Sequence, residues 1–473
     1  MKYFISSFFI LIFSLAFAQT TKQEVSKSID DKLDMYSATA QKIWGFAEVG
    51  FQETQSSALL QETLANAGFT IEKGVAEMPT AFTATFGSGK PVIGILGEFD
   101  ALPGVSQDAV PELKPVAGRP AGHACGHHLF GVASAASAIA IKNWLIATKK
   151  QGTIRFYGAP AEEGGAGKVY MVRAGLFKDV DAVIHWHPGA SNSAGPGSAL
   201  SNKSGKFRFY GVASHAAASP EKGRSALDGV EAMDDMVNMM REHVPQETRI
   251  HYVITRGGEA PNVVPAFAEV YYYVRHPKSS EVKSIFERVV KAAQGAALGT
   301  ETRMEYEVIH GVYNMLPNET LAKIMDANLR SVGGYTFNEK EKAFAEKIQS
   351  SFTGPTPSLA STSEIAPFKL EEAMGSTDVA DISWVVPTTG LSTATWVPGT
   401  SAHSWQAVAA GGTSIGAKGM MVAAKTMALT IMDLYNSPKV IEDAWKELKK
   451  LRGDNFVYEP LLGNRKPALD YRK

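Results

Sequence analysis

In the middle of this chain a strand–helix–strand–strand–helix–strand succession, about 110 residues long, interrupts a different pattern. Hydrophobic periodicity predicts strands at 206–211, 249–255, 266–275 and 301–309, with helices at 225–241 and 280–298. That order is the signature of a ferredoxin-like unit. Ahead of it, short apolar runs at 81–86, 92–96, 154–157 and 182–184 alternate with helical stretches such as 129–147. Runs this short and apolar predict strands covered on both faces, in a mixed or parallel sheet flanked by helices. Residues 22–68 read as amphipathic helices stopped at Gly68, and 417–435 as a long Ala- and Met-rich helix. The Gly-, Ser-, Ala- and Asn-rich segment 195–206 predicts a hinge into the middle block, and the stretch around Pro317 the hinge back. The expected fold class is α/β: one domain formed by 19–202 and 315–473, interrupted by a smaller α+β domain at 203–314. With 45% of residues hydrophobic, there are apolar side chains enough for two cores.

The N-terminus reads as an address. Lys2 precedes an apolar run at 3–18 that ends Ala16-Phe17-Ala18 before Gln19, the layout of a secretory signal peptide occupying 1–18. The run is short for a bilayer span of roughly 20 residues. The expectation is an exported protein, periplasmic or secreted, free of the membrane once the signal is cleaved. Lys and Arg number 47 against 48 Asp and Glu, so no basic field draws a nucleic acid.

An exported chain meets an oxidising compartment, where cysteines pair. This one holds a single cysteine, Cys125, so no disulfide can form within it. In isolation an unpaired cysteine reads as an inert buried thiol. Its surroundings say otherwise: it lies in Gly122-His123-Ala124-Cys125-Gly126-His127-His128, just ahead of a helix. Three more polar clusters follow predicted strands: Gly97-Glu98-Phe99-Asp100, Pro160-Ala161-Glu162-Glu163-Gly164-Gly165 and His185-Trp186-His187-Pro188. Open α/β sheets place their sites beyond the carboxyl ends of strands, where such clusters converge. Thiolate, imidazole and carboxylate are the ligands of zinc and similar divalent ions. Metal binding deprotonates the thiol and accounts for one unpaired cysteine in an exported chain.

The ordered motifs GEFDALPG, GHACGHH, PAEEGGAG, HWHPG, SHAAASPEKGRSAL, APNVVP, GSTDVADISW and AHSWQ resemble the metal-dependent aminoacylase and carboxypeptidase superfamily. The likeness runs from about residue 30 to 435 and is strongest to the amidohydrolase branch, which includes hippurate hydrolases and plant indole-acetyl-amino-acid hydrolases. It implies a metal-binding catalytic domain with an inserted lid and dimerisation domain. Residue by residue it implies Cys125, His127, Glu163, His187 and His403 as ligands of two divalent ions per subunit, manganese or zinc. Glu162 matches the general base and Asp100 the aspartate that orients a metal ligand. Two positions depart from the pattern: Glu98 replaces a histidine, and His128 stands where many relatives have Asp or Asn. His185 and His123 read as supporting residues rather than ligands.

The resemblance further implies hydrolysis of the amide bond in N-acyl amino acids, aminobenzoyl-glutamate-like substrates among them. A dipeptidase or general N-acyl-amino-acid hydrolase is the alternative, and a non-catalytic metal-dependent binding protein a remote one. His215, in the inserted domain, corresponds to an oxyanion donor often supplied across a dimer interface. Asn262 and Arg275 are candidates for the substrate carboxylate, and Asp378, in a matched motif, is a further substrate-binding candidate. The partners expected are a small N-acyl amino acid or dipeptide, a second copy of the chain in a homodimer, and in some relatives a distinct subunit.

Overall fold

The computed structural model describes residues 21–372 and 375–472. The expected signal peptide lies outside the described residues. Three helices come first: α1 (Lys22–Asp30), α2 (Leu33–Phe46) and α3 (Thr54–Asn66). Thr21 and Glu24 close a capping box at the start of α1. Gly68, at φ +90°, turns the chain out of α3 and into the first strand.

The strands of the two large sheets are β1 (Thr70–Lys73), β2 (Phe82–Ser88), β3 (Val92–Gly97), β4 (Gly152–Gly158), β5 (Ala182–Gly189), β6 (Ser201–Tyr210), β7 (Arg249–Arg256), β8 (Phe267–His276), β9 (Arg303–Val312) and β10 (Thr388–Ala394). The first sheet runs β1-β2-β4-β3-β5-β10. Its four strands β4, β3, β5 and β10 are parallel, while β1 and β2 form an antiparallel edge. Every residue of β3 is buried, as a strand with both faces covered requires. Helices α4 (His127–Thr148) and α7 (Ser414–Asn436) pack against this sheet, whereas α5 (Ala226–Met240) and α6 (Ser279–Gly299) pack against the second. By length and composition α4 and α7 could each cross a bilayer. Here they are core helices, packed with the first sheet around Phe82, Ile93, Phe130, Phe156, Trp186 and Met427.

The second sheet runs β7-β8-β6-β9 and is antiparallel throughout. With α5 and α6 it makes the expected βαββαβ unit, around its own core of Phe207, Phe209, Val270, Tyr272, Phe286 and Val289. The expected hinge at 195–206 is shorter than its composition suggests. Ser201–Lys206 is the first half of β6, paired in register with Tyr271–His276. Cross-strand pairing overrides the low strand propensity of its Ser, Asn and Gly. That extension carries Asn202, Tyr273 and Arg275 up to the first sheet's parallel strand ends.

Candidate metal centre

The parallel strands end side by side, and each delivers polar residues to one place. Glu98 and Asp100 follow β3, Glu162 and Glu163 follow β4, His185 and His187 lie in β5, and His403 follows β10. His127 opens α4, with Cys125 two residues ahead of it. Gly126 between them has φ +79°, and a Cβ there would stand 2.6 Å from Pro188. Only glycine lets this segment lie flat against β5. The Glu162–Glu163 turn is equally tight, with left-handed backbone at Ala161 (φ 56°), Gly164 (φ 91°) and Ala166 (φ 55°). Glu53, fully buried, anchors it: one oxygen accepts the Ala161 N–H at 2.8 Å and the other the Thr80 hydroxyl at 2.9 Å.

The imidazoles are oriented so that their lone pairs converge. His187 donates from Nδ1 to the Pro188 carbonyl at 2.7 Å, leaving Nε2 facing Cys125 Sγ at 3.4 Å. His127 donates from Nδ1 to Asp100 Oδ1 at 2.8 Å, while Asp100 Oδ2 accepts the Glu163 N–H at 2.9 Å. His127 Nε2 therefore faces Glu98 Oε2, 3.1 Å away but out of hydrogen-bond alignment. On the other side His403 Nε2 lies 3.1 Å from Glu163 Oε1. Three sets, Cys125–His127–His187, Cys125–Glu163–His403 and Glu98–His127–Glu162, each hold their ligand atoms within 4.8 Å of one another; the sulfur belongs to the first two, and the third brings Glu98 and Glu162 to His127. Glu98 Oε2, His127 Nε2 and Glu163 Oε1 are buried with no aligned hydrogen-bond partner among the described residues. Leaving such groups unpaired is costly, and cations of the soft-to-borderline type that bind S, N and O together suit this donor set.

Electrostatics separates the carboxylates by role. Burial opposes charge on Asp100, yet the His127 imidazole and the Glu163 N–H hold it below the usual carboxylate range. Glu162 is pushed well above that range by burial, then by Glu98, Glu163 and Asp378. Burial also lowers His187, to about 4, so its imidazole is neutral and free to ligate at neutral pH. The Cys125 thiol is raised by burial, a shift that a bound cation reverses.

These groups line one cavity of about 750 Å³, together with Asn202, Tyr273, Arg275 and His310 from the second sheet. Arg275 Nε, Asn202 Oδ1 and His310 Nδ1 are buried there without hydrogen-bond partners among the described residues. His215 and Asn262 are not brought to the cavity of their own chain; both are exposed on adjoining loops beyond the second sheet, where the Asn262 carbonyl accepts the Ala216 N–H at 3.0 Å. Asp378 departs from the expected substrate contact: it is buried, with one oxygen on the Lys168 N–H at 2.9 Å and the other on Lys168 Nζ at 2.5 Å. Its charge is spent on that lysine. His123 and His128 face away from the ligand sets and bond the Ile43 and Gly411 carbonyls.

Lys168 was not singled out by its sequence. It is fully buried and also reaches Glu98 Oε1 at 2.7 Å, so it holds Glu98 and Asp378 apart beneath the ligands. A lysine in the apolar stretch directly after the paired glutamates was the available signal. Glu53 carried no such signal, because its partners come from distant segments.

Known proteins resemble this chain along most of its length. Residues 94–406 match the peptidase family M20/M25/M40. The chain is 40% identical to one of the subunits of the p-aminobenzoyl-glutamate hydrolase of Escherichia coli (strain K12), covering 94% of this chain and 99% of that one. It is 28% identical to the Xaa-Arg dipeptidase of Mus musculus, over 94% and 96% of the two chains. A dinuclear metal-binding peptidase of the M20 family from Bacillus subtilis shares the fold, with a TM-score of 0.58 and 17% identity over 86% of this chain and 99% of that one. On the extent of the family match and the near-complete alignment at 40% identity, the chain belongs to peptidase family M20/M25/M40 and is a metal-dependent hydrolase of amide bonds.

Proposed function

We propose that this chain hydrolyses the amide bond of N-acyl amino acids, with aminobenzoyl-glutamate-like compounds as its substrates. The observation that carries the reading is the double membership of Cys125 Sγ in two ligand sets, with Glu162 beside them on the wall of the same cavity as Arg275. The 40% identity to a p-aminobenzoyl-glutamate hydrolase subunit supports the substrate class. Cys125, His127, Glu163, His187 and His403 would hold two divalent ions, manganese or zinc. A divalent ion supplies Lewis acidity, making water acidic near neutral pH and polarising a carbonyl.

The chain's own residues do the rest. Asp100 fixes the tautomer of His127 by taking its Nδ1 proton in a hydrogen bond, so Nε2 is left to ligate. Glu162 takes a proton from the attacking water at its carboxylate and returns it to the departing amine nitrogen. Burial raises its affinity for that proton, which suits a group that must both accept and release it. Arg275 pairs with the substrate's α-carboxylate through its fork of N–H groups. His215, exposed here, would supply an oxyanion donor to a second copy's cavity, with Asn262 beside it; self-association would run along β7. A related subunit could take the second copy's place, since the Escherichia coli relative is named as one subunit of a hydrolase. Export rests on Lys2 and the apolar run to Ala18.

The test is a release assay on purified, metal-reconstituted protein against N-acyl amino acids, p-aminobenzoyl-glutamate and dipeptides. Release of amino acid from the acylated substrates, lost on chelation and restored by manganese or zinc, is the expected result. Turnover confined to dipeptides would overturn the substrate assignment.

A further inference from the structure

The chain's last described segment takes no part in the reading above, yet it is pinned along its length. Leu461 is buried in the core of the second sheet and its neighbour Leu462 in that of the first. The Tyr458 hydroxyl donates to Asp381 at 2.6 Å, and Arg465 pairs with Glu307 of β9 at 3.1 Å. Arg173 holds the Gly463 and Arg465 carbonyls at 3.0 and 2.7 Å, and Gln52 the Leu469 carbonyl at 2.7 Å. Tyr471 then packs edge-on against Phe51, with ring centroids 5.7 Å apart. This strap ends at the metal centre: Tyr471 Oη and Arg472 both donate to the Glu163 carbonyl, at 2.9 and 3.0 Å.

Arg472 also lines the cavity. Arg275 and Arg472 are the two guanidinium groups in its lining, one on the second sheet and one at the end of the strap. Among the described residues neither has a carboxylate within 4 Å, although Glu98, Glu162 and Glu163 share the cavity with them. Of these, Glu98 is held by Lys168 and Glu163 lies against His403. An N-acyl amino acid brings one α-carboxylate, which needs one guanidinium. A second one, fixed in place and free of internal carboxylates, matches a second anion on the same ligand.

Resting on the hydrolase reading above, we propose that Arg472 is a specificity-determining residue that pairs with the side-chain carboxylate of an acidic amino acid, so that the preferred substrates are N-acyl dicarboxylic amino acids.

The test compares N-benzoyl-L-glutamate with its neutral isostere N-benzoyl-L-glutamine on the full-length, metal-loaded enzyme and on Arg472→Met and Arg472→Lys. Loss of a charge-assisted pair is worth about tenfold to a hundredfold. The expected result is a preference of the unaltered enzyme for the glutamate substrate of at least about tenfold, expressed in KM, abolished in Arg472→Met and partly restored in Arg472→Lys. Equal handling of both substrates by the unaltered enzyme overturns the proposal. So does a proportional loss on both substrates in Arg472→Met, which would leave Arg472 with only the Glu163 carbonyl to hold. Calorimetric binding of L-glutamate and L-glutamine reads the same preference without turnover. Absent hydrolysis of either substrate would count against the hydrolase reading, while an equal affinity for the two amino acids would count against Arg472.

Discussion

Glu162 is the side chain on which turnover should depend most sharply. It sits one residue from Glu163, yet the two are shifted in opposite directions. His403 holds Glu163 below the usual carboxylate range against the effect of burial, whereas burial and the neighbouring carboxylates drive Glu162 well above it. Pairs of acids pushed apart in this way divide ligand and proton-transfer work between them. Glu162→Gln keeps the size of the side chain and removes its proton chemistry. Turnover should fall by at least about a hundredfold, the usual scale of general acid–base catalysis, with metal content by elemental analysis unchanged. Near-normal turnover in that variant would sink the role. Close by, the buried Lys168 balances the buried Glu98 and Asp378. A buried lysine of this kind is part of the charge balance: without it Glu98 and Asp378 would be left as buried, unpaired carboxylates.

At the scale of elements, the turn after β4 is the part most dependent on support from elsewhere. Two alanines in left-handed backbone cost on the order of 1–2 kcal/mol each, and Glu53 at the start of α3 holds the turn by the Ala161 N–H. Glu53→Ala would leave that N–H and the Thr80 hydroxyl buried without their acceptor, each a penalty of about 1–3 kcal/mol. Thermal unfolding should shift down and turnover should fall, because Glu162 and Glu163 ride on the turn; an unchanged melting temperature would show that the turn stands without Glu53. Such support is what the sequence hides. Strand β3 is legible because its apolar run is continuous, and Cys125, His187 and the paired glutamates because they follow strands that can be recognised locally. The first half of β6 is not, since its Ser, Asn, Lys and Gly residues are strand only by pairing with β8. Lys168 is only half legible: it follows the paired glutamates, but its partner Asp378 lies 210 residues away. The strap at 455–472 is hidden for a third reason: side chains of other segments hold it by its backbone carbonyls, which carry no pattern in sequence.

For the whole molecule, assembly turns on one edge. Strand β7 ends the second sheet, and apart from Ile250 its residues are exposed. Tyr252, Val253 and Ile254 stand in a row there at 37%, 55% and 39% exposure. A long edge strand with apolar side chains and open backbone groups invites another chain unless charge or a bulge blunts it. Its one irregularity, between Ile254 and Arg256, lies at its end and leaves the middle free. His215 and Asn262 sit exposed beyond the same sheet, away from the cavity of their own chain, which is where residues serving a neighbour's cavity belong. The expected state is a dimer paired through β7. Val253→Lys combined with Ile254→Lys should give a monomer by light scattering that keeps its metal and loses turnover, because each cavity is then without its neighbour's His215. His215→Ala should lose turnover alike while remaining dimeric. A full-length protein that is monomeric and fully active would refute the shared-site arrangement, and a dimeric His215→Ala enzyme with normal turnover would leave the edge pairing standing and remove His215 from the chemistry.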